Sequence, residues 1–456
     1  MERFDVFVIG GGGTGSEVAF TLARSSDLSV AIAERHRLGG ECNLYGCVPT
    51  KVMLRSTRLF ALARDGARFG LRIPEVGIDF GAVQRRASDI VEQQSGAGPK
   101  PFEEKGIRVF LDEALVVGEH RVELADGTQI EADRAVLATG SEPSIPPIPG
   151  LADGPFWTNR EAIWDPKEPP RKLAVIGTGA IGAEFSQLYR RFGSEVTAIE
   201  MVPRILPHED GDAAASLASV FEAEGIRVVT GATIRSARHD AEGWTLAIEG
   251  APPVSVDEVL VAAGRRPVLD GHDLDAVGLE VDDRRRPVLD ETLRTTAPDV
   301  WAAGDVTGDL LFTHVGNYEA EIVANDILGR PEPRDYRVVP RVTFTDPEVG
   351  SVGLTEEQAR SEGHDVLTAV VHIADNERSL IDGRPDGIVK LVADREDGTV
   401  LGGHIVADEA GTMIHEVVAI MAARATATAV ARAIHAYPTL SESVKAALLG
   451  IEARLG

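Results

Sequence analysis

Cysteine is almost absent from this chain of 456 residues, which contains only Cys42 and Cys47. A secreted scaffold held by disulfides would use more cysteines, and a structural zinc site needs about four ligands, so both classes are disfavoured. We therefore predict no metal site. Two cysteines close together in a chain with no other thiol are more typical of a redox pair.

Positive charge is also scarce, with 46 Lys and Arg against 72 Asp and Glu and a formal net charge of −26. Such a chain lacks the basic surface that follows a nucleic-acid backbone, and anionic membranes repel it. No apolar run approaches the ~20 residues of a membrane-spanning helix. The N-terminus shows neither a basic lead nor a small-residue cleavage site. We expect a cytoplasmic protein without nucleic-acid or membrane partners.

What the chain does contain is glycine in a regular pattern close to its N-terminus. A short apolar strand at 6–9 leads into Gly10-x-Gly12-x-x-Gly15, and after a helical stretch a second strand ends at Glu34. This spacing allows a tight turn, a close approach of a pyrophosphate to bare backbone, and tight packing of helix against strand. An acid at the end of the second strand can accept hydrogen bonds from a ribose. The pattern predicts a dinucleotide site.

The same pattern returns in the middle of the chain. An apolar strand at 173–176 leads into Gly177-x-Gly179-x-x-Gly182, and the next strand ends at Glu200. One glycine pattern alone is a weak signal, because such turns also occur for purely structural reasons. Two copies with the same strand, helix and acid around them favour two dinucleotide sites, and hence two dinucleotides that exchange a hydride.

The rest of the chain suggests how these units are arranged. A proline-rich stretch at 143–149 is typical of a linker, and after Pro331 alternating strands and alanine-rich helices follow without a phosphate loop. We predict an α/β fold with two Rossmann-like dinucleotide-binding domains and a C-terminal α+β domain. The predicted boundaries are 1–150 with 270–333 for the first domain, 151–269 for the second, and 334–456 for the third.

The two cysteines lie in the segment 39–51, GGECNLYGCVPTK. In a regular helix cysteines five positions apart would be separated by a rise of ~7.5 Å. That rise exceeds the ~4.4–6.8 Å between the Cα atoms of a disulfide. Gly46 and Pro49 would let the backbone depart from a helix, so the segment is compatible with a small, easily reduced disulfide. Two buried free cysteines that act as small hydrophobic residues are the alternative, and the spacing alone favours neither.

The whole segment resembles the hallmark of the class I pyridine nucleotide-disulfide oxidoreductases, the family of lipoamide dehydrogenase, glutathione reductase and mercuric reductase. That hallmark is Gly-Gly-x-Cys, four residues, then Cys-Val/Ile-Pro-Ser/Thr-Lys. The resemblance runs nearly end to end and includes 138–140, 177–184, 302–305 and 437–442. It implies an FAD-dependent NAD(P)H:disulfide oxidoreductase that works as a homodimer through its C-terminal domain. Hydride would pass from NADH to FAD, then to the Cys42–Cys47 disulfide and on to an acceptor.

The resemblance also implies roles for single residues. Cys47 would lie against the flavin as the charge-transfer thiolate, and Cys42 would be the interchange thiol that attacks the substrate. A helix N-terminus and nearby cations would lower the thiol pKa for both roles. Lys51 would lie near the flavin N5 and pair with Glu184; without the motif these two would suggest an ordinary surface ion pair. Asp305 would bind the ribityl chain.

Further cofactor contacts are expected at two sets of positions. For FAD they are Gly10, Gly12, Gly13, Gly15, Glu34, Arg35, Gly40, Ala114, Thr139, Gly140 and Gly304, besides Lys51 and Asp305; for NAD they are Gly177, Gly179, Ile181, Gly182, Glu200 and Gly264. The carboxylate of Glu200 would repel a 2′-phosphate, and the first cation that follows it is Arg204. The sequence therefore favours NADH over NADPH.

The chain departs from the family at one catalytic position. In lipoamide and glutathione reductases a histidine precedes the proline of the C-terminal motif, and with a glutamate five residues later it forms the acid–base pair that the partner subunit contributes. Here the position is Tyr437, with Glu442 retained. A phenol titrates near ~10 and an imidazole near ~6.5, so tyrosine is a poor base at neutral pH. His435 is a second candidate for that role.

Three functions are compatible with these observations. The first is a reductase of lipoamide or another small disulfide, which would lose turnover when either cysteine is replaced. The second is an enzyme that passes electrons from the flavin to a quinone or dye, or that reduces Hg(II). Mercuric reductases also carry a tyrosine at the position of Tyr437. Transfer to a quinone or dye would survive Cys42→Ser. The third is a non-catalytic dinucleotide sensor, against which the intact Lys51 and Glu184 argue. The sequence does not determine the acceptor.

Overall fold

The computed structural model of the protein describes residues 1–455, which form two compact units. Unit 1 comprises Met1–Val52, Ala82–Ser144 and Arg265–Asp335. Unit 2 comprises Met53–Gly81, Ile145–Gly264 and the chain from Tyr336 onward. The change from unit 1 to unit 2 after Ser144 lies within the proline-rich stretch. The division into three domains stays a prediction.

The strands and helices follow one another closely. The strands are β1 Glu2–Phe4, β2 Val6–Ile9, β3 Val30–Ala33, β4 Arg108–Phe110, β5 Ala114–Gly118, β6 Arg121–Leu124, β7 Gln129–Ala132, β8 Ala135–Leu137, β9 Ser141–Pro143, β10 Lys172–Ile176, β11 Glu195–Ile199, β12 Arg227–Val229, β13 Ile234–Asp240, β14 Gly243–Ile248, β15 Val254–Val256, β16 Glu258–Val261, β17 Arg265–Pro267, β18 Val300–Ala302, β19 Pro340–Thr343, β20 Glu348–Gly353, β21 Val366–His372, β22 Ile388–Asp394 and β23 Val400–Ala407. The α-helices are α1 Gly13–Ser25, α2 Gly40–Leu44, α3 Cys47–Arg64, α4 Phe80–Ser95, α5 Lys100–Glu103, α6 Asn159–Trp164, α7 Ala180–Arg191, α8 Gly211–Ala223, α9 Leu274–Val277, α10 Thr313–Ile327, α11 Glu356–Ser361, α12 Glu377–Ile381, α13 Ala410–Ala422, α14 Ala427–Val430 and α15 Glu442–Leu455. Short 3₁₀ helices occur at Gly66–Phe69, Gly304–Thr307 and Ile373–Asp375.

Unit 1 is built on a five-stranded parallel sheet in the order β18-β8-β2-β3-β4. Strands β2 and β3 are buried along their whole length, which is why their sequences are continuous apolar runs rather than alternating ones. A four-stranded sheet in the order β1-β7-β6-β5 and the antiparallel pair of β9 and β17 complete the unit.

Unit 2 repeats the parallel arrangement in a four-stranded sheet in the order β12-β11-β10-β16. The unit also contains a three-stranded antiparallel sheet, β13-β14-β15, and a five-stranded antiparallel sheet, β19-β20-β23-β22-β21, here called the C-terminal sheet. Helices α13 and α15 cover the C-terminal sheet with a core of buried aliphatic side chains, including Leu391, Ile405, Val417 and Leu448. The predicted alanine-rich helices are thus α13 and α15.

The strand order positions both candidate sites in the same way. In unit 1 the neighbours of β2 are β3 on one side and β8 on the other, and in unit 2 the neighbours of β10 are β11 and β16. The order of the strands therefore reverses at β2 and at β10, and in open α/β sheets ligands bind at the carboxyl ends of strands where this occurs. The two glycine patterns follow directly after these two strands.

Candidate active site

In the first glycine turn two glycines are required for close packing, and a third, Gly12, leaves room for a ligand beside its backbone. A side chain on Gly10 would clash with the carbonyl oxygen of Ala138, and one on Gly15 would clash with the carbonyl oxygen of Gly10. At Gly12 the nearest atom to an added Cβ is the Cα of Gly40, at 3.7 Å. The backbone at Gly12, next to the N-terminus of α1, is therefore open to an anionic ligand.

The second glycine turn has the same division of roles. An added Cβ would clash with the Ala262 carbonyl oxygen at Gly177 and with the Gly177 carbonyl oxygen at Gly182. At Gly179 no atom lies within 4 Å of the added Cβ. Since α7 begins at Ala180, its first amide groups face the same open space as Gly179.

Glu34 lies where a ribose is expected in unit 1. Its Oε2 accepts a hydrogen bond from the Gly11 amide at 2.9 Å, and its Oε1 accepts one from the His36 amide at 2.9 Å. These bonds fix the carboxylate beside the glycine turn as a hydrogen-bond acceptor. Arg35, also predicted to contact FAD, pairs with Glu142 at 2.9 Å.

Glu200 occupies the equivalent place in unit 2. Its Oε2 accepts from the amide and the hydroxyl of Thr178 at 2.8 and 3.0 Å, and its Oε1 accepts from the amides of Met201 and Val202 at 2.8 and 3.2 Å. The carboxylate is buried and held entirely by neutral donors in these bonds. The carboxylate is therefore fixed at the end of β11, beside the second glycine turn.

A polar cluster surrounds Asp305 in unit 1. Its Oδ2 accepts a hydrogen bond from the Ser141 hydroxyl at 2.6 Å, and that hydroxyl accepts one from Arg265 Nε at 2.7 Å. The amide of the preceding residue, Gly304, donates to the buried carboxylate of Glu319 at 2.6 Å. The sequence did not indicate Ser141, Arg265 or Glu319. The one available signal was that Ser141 and Arg265 directly follow Gly140 and Gly264, two of the predicted cofactor contacts.

The remaining predicted cofactor contacts lie close to these turns or in the core. Gly13 begins α1, Ile181 lies in the first turn of α7, and Gly140 and Gly264 have left-handed φ angles of 75° and 112°. The hydroxyl of Thr139 donates to the Val268 carbonyl at 2.5 Å. Ala114 is buried at the start of β5.

The two cysteines lie on either side of a helix break. Cys42 is half-buried in α2, and Cys47 is exposed at the start of α3. The chain therefore leaves helical geometry at 45–46, which includes Gly46, one of the two residues predicted to interrupt the helix. Pro49, the other predicted breaker, lies instead within the first turn of α3, where proline is tolerated because no amide there needs an intrahelical partner. Both side chains are free thiols in this structure.

The surroundings of Cys42 disfavour the loss of its proton. A hydrogen bond to Cys47 and, next, burial raise the pKa of the Cys42 thiol, while Thr313 and Lys51 oppose this. The expectation that a helix end and cations lower the pKa of both cysteines is therefore wrong for Cys42. Cys47 is the first residue of α3, where the helix dipole favours a thiolate.

Lys51 and Glu184 lie in α3 and α7. Lys51 is half-buried in unit 1, one turn after Cys47. Glu184 is 3% exposed in unit 2, and its Oε1 accepts a hydrogen bond from the Phe344 amide at 2.9 Å. The pairing of Lys51 with Glu184 stays a prediction.

Comparison with known proteins matches this geometry to one family. The pyridine nucleotide-disulphide oxidoreductase family matches residues 4–324, and the dimerisation domain of the same family matches residues 339–448. The chain belongs to this family. The predicted family and α/β fold class are confirmed.

Relatives of known name resemble this oxidoreductase along nearly its whole length. The dihydrolipoyl dehydrogenase of Chlorobaculum tepidum is 37% identical over 98% of this chain and 96% of its own. The mercuric reductase of Bacillus cereus is 33% identical over 98% of this chain and 71% of its own. Among solved structures, LpdA from Mycobacterium tuberculosis superposes with a TM-score of 0.88 at 28% identity, covering 99% of this chain and 100% of its own. The HOCl-induced flavoprotein disulfide reductase RclA from Escherichia coli gives 0.86 at 28% identity, with 98% and 99% covered.

Membership of the family establishes the type of reaction. The protein is an FAD-dependent NAD(P)H:disulfide oxidoreductase, and its cofactors are FAD and NAD(H). The residues present fit both groups, because the backbone is open at Gly12 and at Gly179 and because Glu34 and Glu200 are fixed as acceptors beside those turns. The dimerisation domain supports a homodimer.

Tyr437 lies in the loop before α15, and Glu442 is the first residue of that helix. The Tyr437 side chain is 70% exposed. Glu442 begins α15, and its Oε2 accepts a hydrogen bond from the Thr439 amide at 3.1 Å. The loop is thus closed by the carboxylate of Glu442, while the phenol of Tyr437 projects from it.

His435, the alternative acid–base candidate, is bound to a residue that the sequence did not indicate. Its Nε2 lies 2.8 Å from the Glu416 carboxylate, and its Nδ1 lies 3.1 Å from the Ala433 carbonyl oxygen. Burial lowers the pKa of His435, but the bonds to Glu416 and Ala433 outweigh burial and raise it above the ordinary value. Glu416 lies 19 residues away, in helix α13, whereas His435 lies in the loop before α15, so no local pattern pointed to Glu416.

Two further properties concern the described residues as a whole. Within 1–455, no three His, Cys, Asp or Glu side chains are grouped so that they could hold a metal ion. In the same part of the chain no helix is both long enough and apolar enough to span a membrane.

Proposed function

We propose that this enzyme is an NADH-dependent reductase of a small-molecule disulfide, with lipoamide as the first candidate acceptor. The observation that carries the proposal is the cysteine pair itself, in which the half-buried Cys42 is hydrogen-bonded to Cys47 and the exposed Cys47 begins α3. FAD, when bound, supplies a carrier of two electrons between the nicotinamide and the cysteine pair. The assignment of site residues to these roles is part of the proposal.

Thiol exchange at the pair proceeds in two balanced steps. After Cys42 has lost its proton, its sulfur attacks one sulfur of the substrate disulfide, and the other substrate sulfur leaves as a thiolate that takes up a proton. The Cys47 thiolate then attacks the Cys42 sulfur of the mixed disulfide, which releases the second substrate thiol and forms the Cys42–Cys47 disulfide. Two thiols of the enzyme are thereby oxidised, and one substrate disulfide becomes two thiols.

Proton transfer is the step in which Tyr437 distinguishes this chain from lipoamide and glutathione reductases, which have a histidine at this position. Tyr437 occupies the acid–base position and is a hydrogen-bond donor at neutral pH, so it can protonate a leaving thiolate but is a weak base toward Cys42. Since the pKa of Cys42 is raised as well, we propose that deprotonation of Cys42 limits disulfide turnover near neutral pH.

The test is anaerobic NADH oxidation by the flavin-loaded enzyme with lipoamide as acceptor, with Cys42→Ser and Cys47→Ser as variants. We expect turnover by the unmodified enzyme and its loss in both variants. NADH bleaching of the flavin without reoxidation by lipoamide would contradict lipoamide as acceptor, and other small disulfides would then be screened. Bleaching that no disulfide reverses would contradict the whole proposal.

Tyr437 itself favours a second candidate, in which electrons pass directly to a quinone or dye without thiol exchange. That reaction needs no base at Cys42, so a phenol in place of an imidazole costs it nothing. It predicts that quinone turnover by Cys42→Ser equals that of the unmodified enzyme, whereas disulfide turnover is lost. Equal loss of both activities in Cys42→Ser would exclude the direct route.

We also propose that the enzyme works as a homodimer in which the loop of Tyr437 and Glu442 completes the cysteine site of the other copy. The dimerisation domain and the exposure of the Tyr437 side chain support this arrangement. A monomeric mass in solution at the enzyme concentration of the assay would contradict it.

A further inference from the structure

The segment that follows Glu200 is fixed although it has no regular structure. Residues 200–210, here called the coenzyme loop, connect β11 to α8. The Leu206 amide donates to the Thr178 carbonyl at 2.9 Å, in the glycine turn, and Leu206 has a left-handed φ of 45°, which is rare for a residue other than glycine. A loop held in this way needs partners that restrict it.

Two of these partners are charged residues near the C-terminal sheet. Arg204 forms a bidentate ion pair with Glu357 of α11, and both distances are 2.9 Å. Arg341 of β19 donates from Nε to the carboxylate of Glu209 at 2.7 Å. The pair of Arg204 is the more exposed, and that of Arg341 is largely buried.

The third partner is a buried lysine at the end of the coenzyme loop. The side chain of Lys390, in β22, is only 4% exposed, and its Nζ lies 3.0 Å from Asp210, 2.7 Å from Asp212 and 2.8 Å from Glu356. Asp210 is itself buried and caps the N-terminus of α8 by accepting from the Asp212 amide. Charges removed from water must be paired, so Lys390 and Asp210 fix one another in place.

Together these contacts join Glu200 to the C-terminal sheet by a short path. The carboxylate of Glu200 holds the amides that start the coenzyme loop, and Lys390 holds the carboxylate that ends it, ten residues later. The ion pairs of Arg204, Arg341 and Lys390 include no residue of the glycine turn of unit 1. A change at Lys390 should therefore act on the coenzyme side of the enzyme and leave the flavin side as it is.

We propose that Lys390 is a positioning residue for the coenzyme, because through Asp210 it fixes the coenzyme loop and thereby the carboxylate of Glu200 that receives the adenosine ribose of NADH. The inference rests on the proposed function, in which NADH is the hydride donor, and on the sequence prediction that Glu200 contacts NAD. It adds that residues of the dimerisation domain set the affinity for the coenzyme.

The test compares two hydride donors in Lys390→Met, a variant of similar length without charge. Reduced nicotinamide mononucleotide lacks the adenosine half that Glu200 would hold, whereas NADH contains it. With ferricyanide as a saturating acceptor, we expect the KM for NADH to rise about tenfold while kcat changes less than about twofold. The KM for reduced nicotinamide mononucleotide should stay unchanged, and so should the absorbance spectrum of the bound flavin.

The matched control is Arg395→Met. Arg395 follows β22 directly and pairs with Asp365 at 3.2 Å on the surface, so the variant removes a cation from the same hairpin without touching the coenzyme loop. We expect both KM values to remain those of the unmodified enzyme. A rise in the KM for NADH equal to that of Lys390→Met would overturn the proposal.

A second variant covers the case in which Lys390→Met does not fold. Glu357→Gln breaks the exposed pair with Arg204 from the side of α11 and leaves no buried charge unpaired. We expect a rise of about threefold in the KM for NADH only. An unchanged KM for NADH in this variant, or parallel rises for both donors in either variant, would overturn the proposal. Failure of the unmodified enzyme to oxidise NADH would instead contradict the proposed function.

Discussion

The Nε2 atom of His435 lies 2.8 Å from the Oε1 atom of Glu416, and this contact ties the loop of Tyr437 to helix α13. The contact raises the pKa of His435, although burial opposes the rise. The imidazole is therefore committed to a carboxylate of its own subunit. Its geometry suits an anchor for the loop better than a base for Cys42. The role of a base is the one for which the sequence made His435 a second candidate.

The anchor predicts a pH-dependent stability. Because the pKa of His435 is higher in the folded than in the unfolded state, the contribution of the pair is complete below pH ~6.5 and is lost as the pH rises through the folded pKa. The Tm of Glu416→Gln should therefore be lower than that of the unmodified enzyme at pH 6, and the difference should shrink toward pH 9. Thermal unfolding followed by circular dichroism measures this.

The control for this prediction is Glu452→Gln, which removes the pair of Glu452 with Arg432 at 3.1 Å. Arginine does not titrate between pH 6 and 9, so the Tm difference of this variant should be constant over that range. A constant difference for Glu416→Gln as well would show that His435 is not charged in the pair.

Disulfide turnover should increase with pH. The hydrogen bond to Cys47 and burial raise the pKa of Cys42, and the phenol of Tyr437 is a weak base, so few enzyme molecules carry a reactive Cys42 thiolate at pH 7. We expect kcat/KM for lipoamide to rise steadily from pH 6 to pH 9. In Tyr437→His the rise should begin at lower pH, with a rate at pH 7 increased by about tenfold or more.

Turnover with ferricyanide, which needs no thiol exchange, serves as the internal standard for that experiment. Its pH profile should be the same in Tyr437→His and in the unmodified enzyme. If the lipoamide profiles of the two proteins also coincide, Tyr437 does not stand at the position where protons are exchanged.

The glycine turn of unit 2 predicts opposite outcomes for two neighbouring substitutions. Gly182→Ala places a methyl group against the Gly177 carbonyl oxygen and should destabilise the protein by about 1–3 kcal/mol. Gly179→Ala meets no atom within 4 Å, so its Tm should be unchanged while the KM for NADH rises. Loss of stability in both variants would mean that the space at Gly179 is needed for the fold and not for a ligand.

Helix α3 contains an arginine on which the packing of unit 2 depends. Arg58 donates to the carbonyl oxygen of Asp408 at 3.1 Å and also to its carboxylate, and its Nε lies 3.7 Å from the buried carboxylate of Asp346. Arg58→Met should lower the free energy of unfolding by about 3 kcal/mol, near the lower end for a broken buried pair, because Arg384 still faces both carboxylates.

Urea denaturation of Arg58→Met and of the exposed control Arg55→Met tests this prediction. Arg55 lies on the same helix, and its replacement should change the free energy of unfolding by less than about 0.5 kcal/mol. Equal effects of the two substitutions would refute a specific role for the pair of Arg58 with Asp408.

The sequence brings residues together correctly where the information is local, since Glu34 does lie beside the first glycine turn. A strand, a glycine turn and an acid lie within about 30 residues, so Gly12 and Glu34 could be assigned to one site from the amino-acid pattern alone. Pro49 was misplaced because the pattern shows that a helix must be interrupted but not on which side of the break a proline falls. The first turn of a helix accepts proline as readily as a loop does.

Contacts between distant parts of the chain could not be predicted. Arg265 and Ser141 are 124 residues apart, and Lys390 and Asp210 are 180 apart. Each of these residues is of an ordinary type in a stretch without a distinctive motif, and only the tertiary structure brings the partners together. The raised pKa of Cys42 is of the same kind, since it depends on burial that the spacing of two cysteines does not specify.

The chain has no cysteine besides Cys42 and Cys47. A thiol-specific alkylating reagent that modifies the denatured protein therefore reports on the redox pair alone. Intact mass spectrometry would show two added groups for the dithiol and none for the disulfide. The mixed disulfide would show a substrate adduct with one added group on Cys47, and a second group where the adduct of a cyclic disulfide carries a free thiol. An unfractionated cell extract quenched with acid would thus reveal the working state of the enzyme, and the mass of the adduct would identify its natural acceptor.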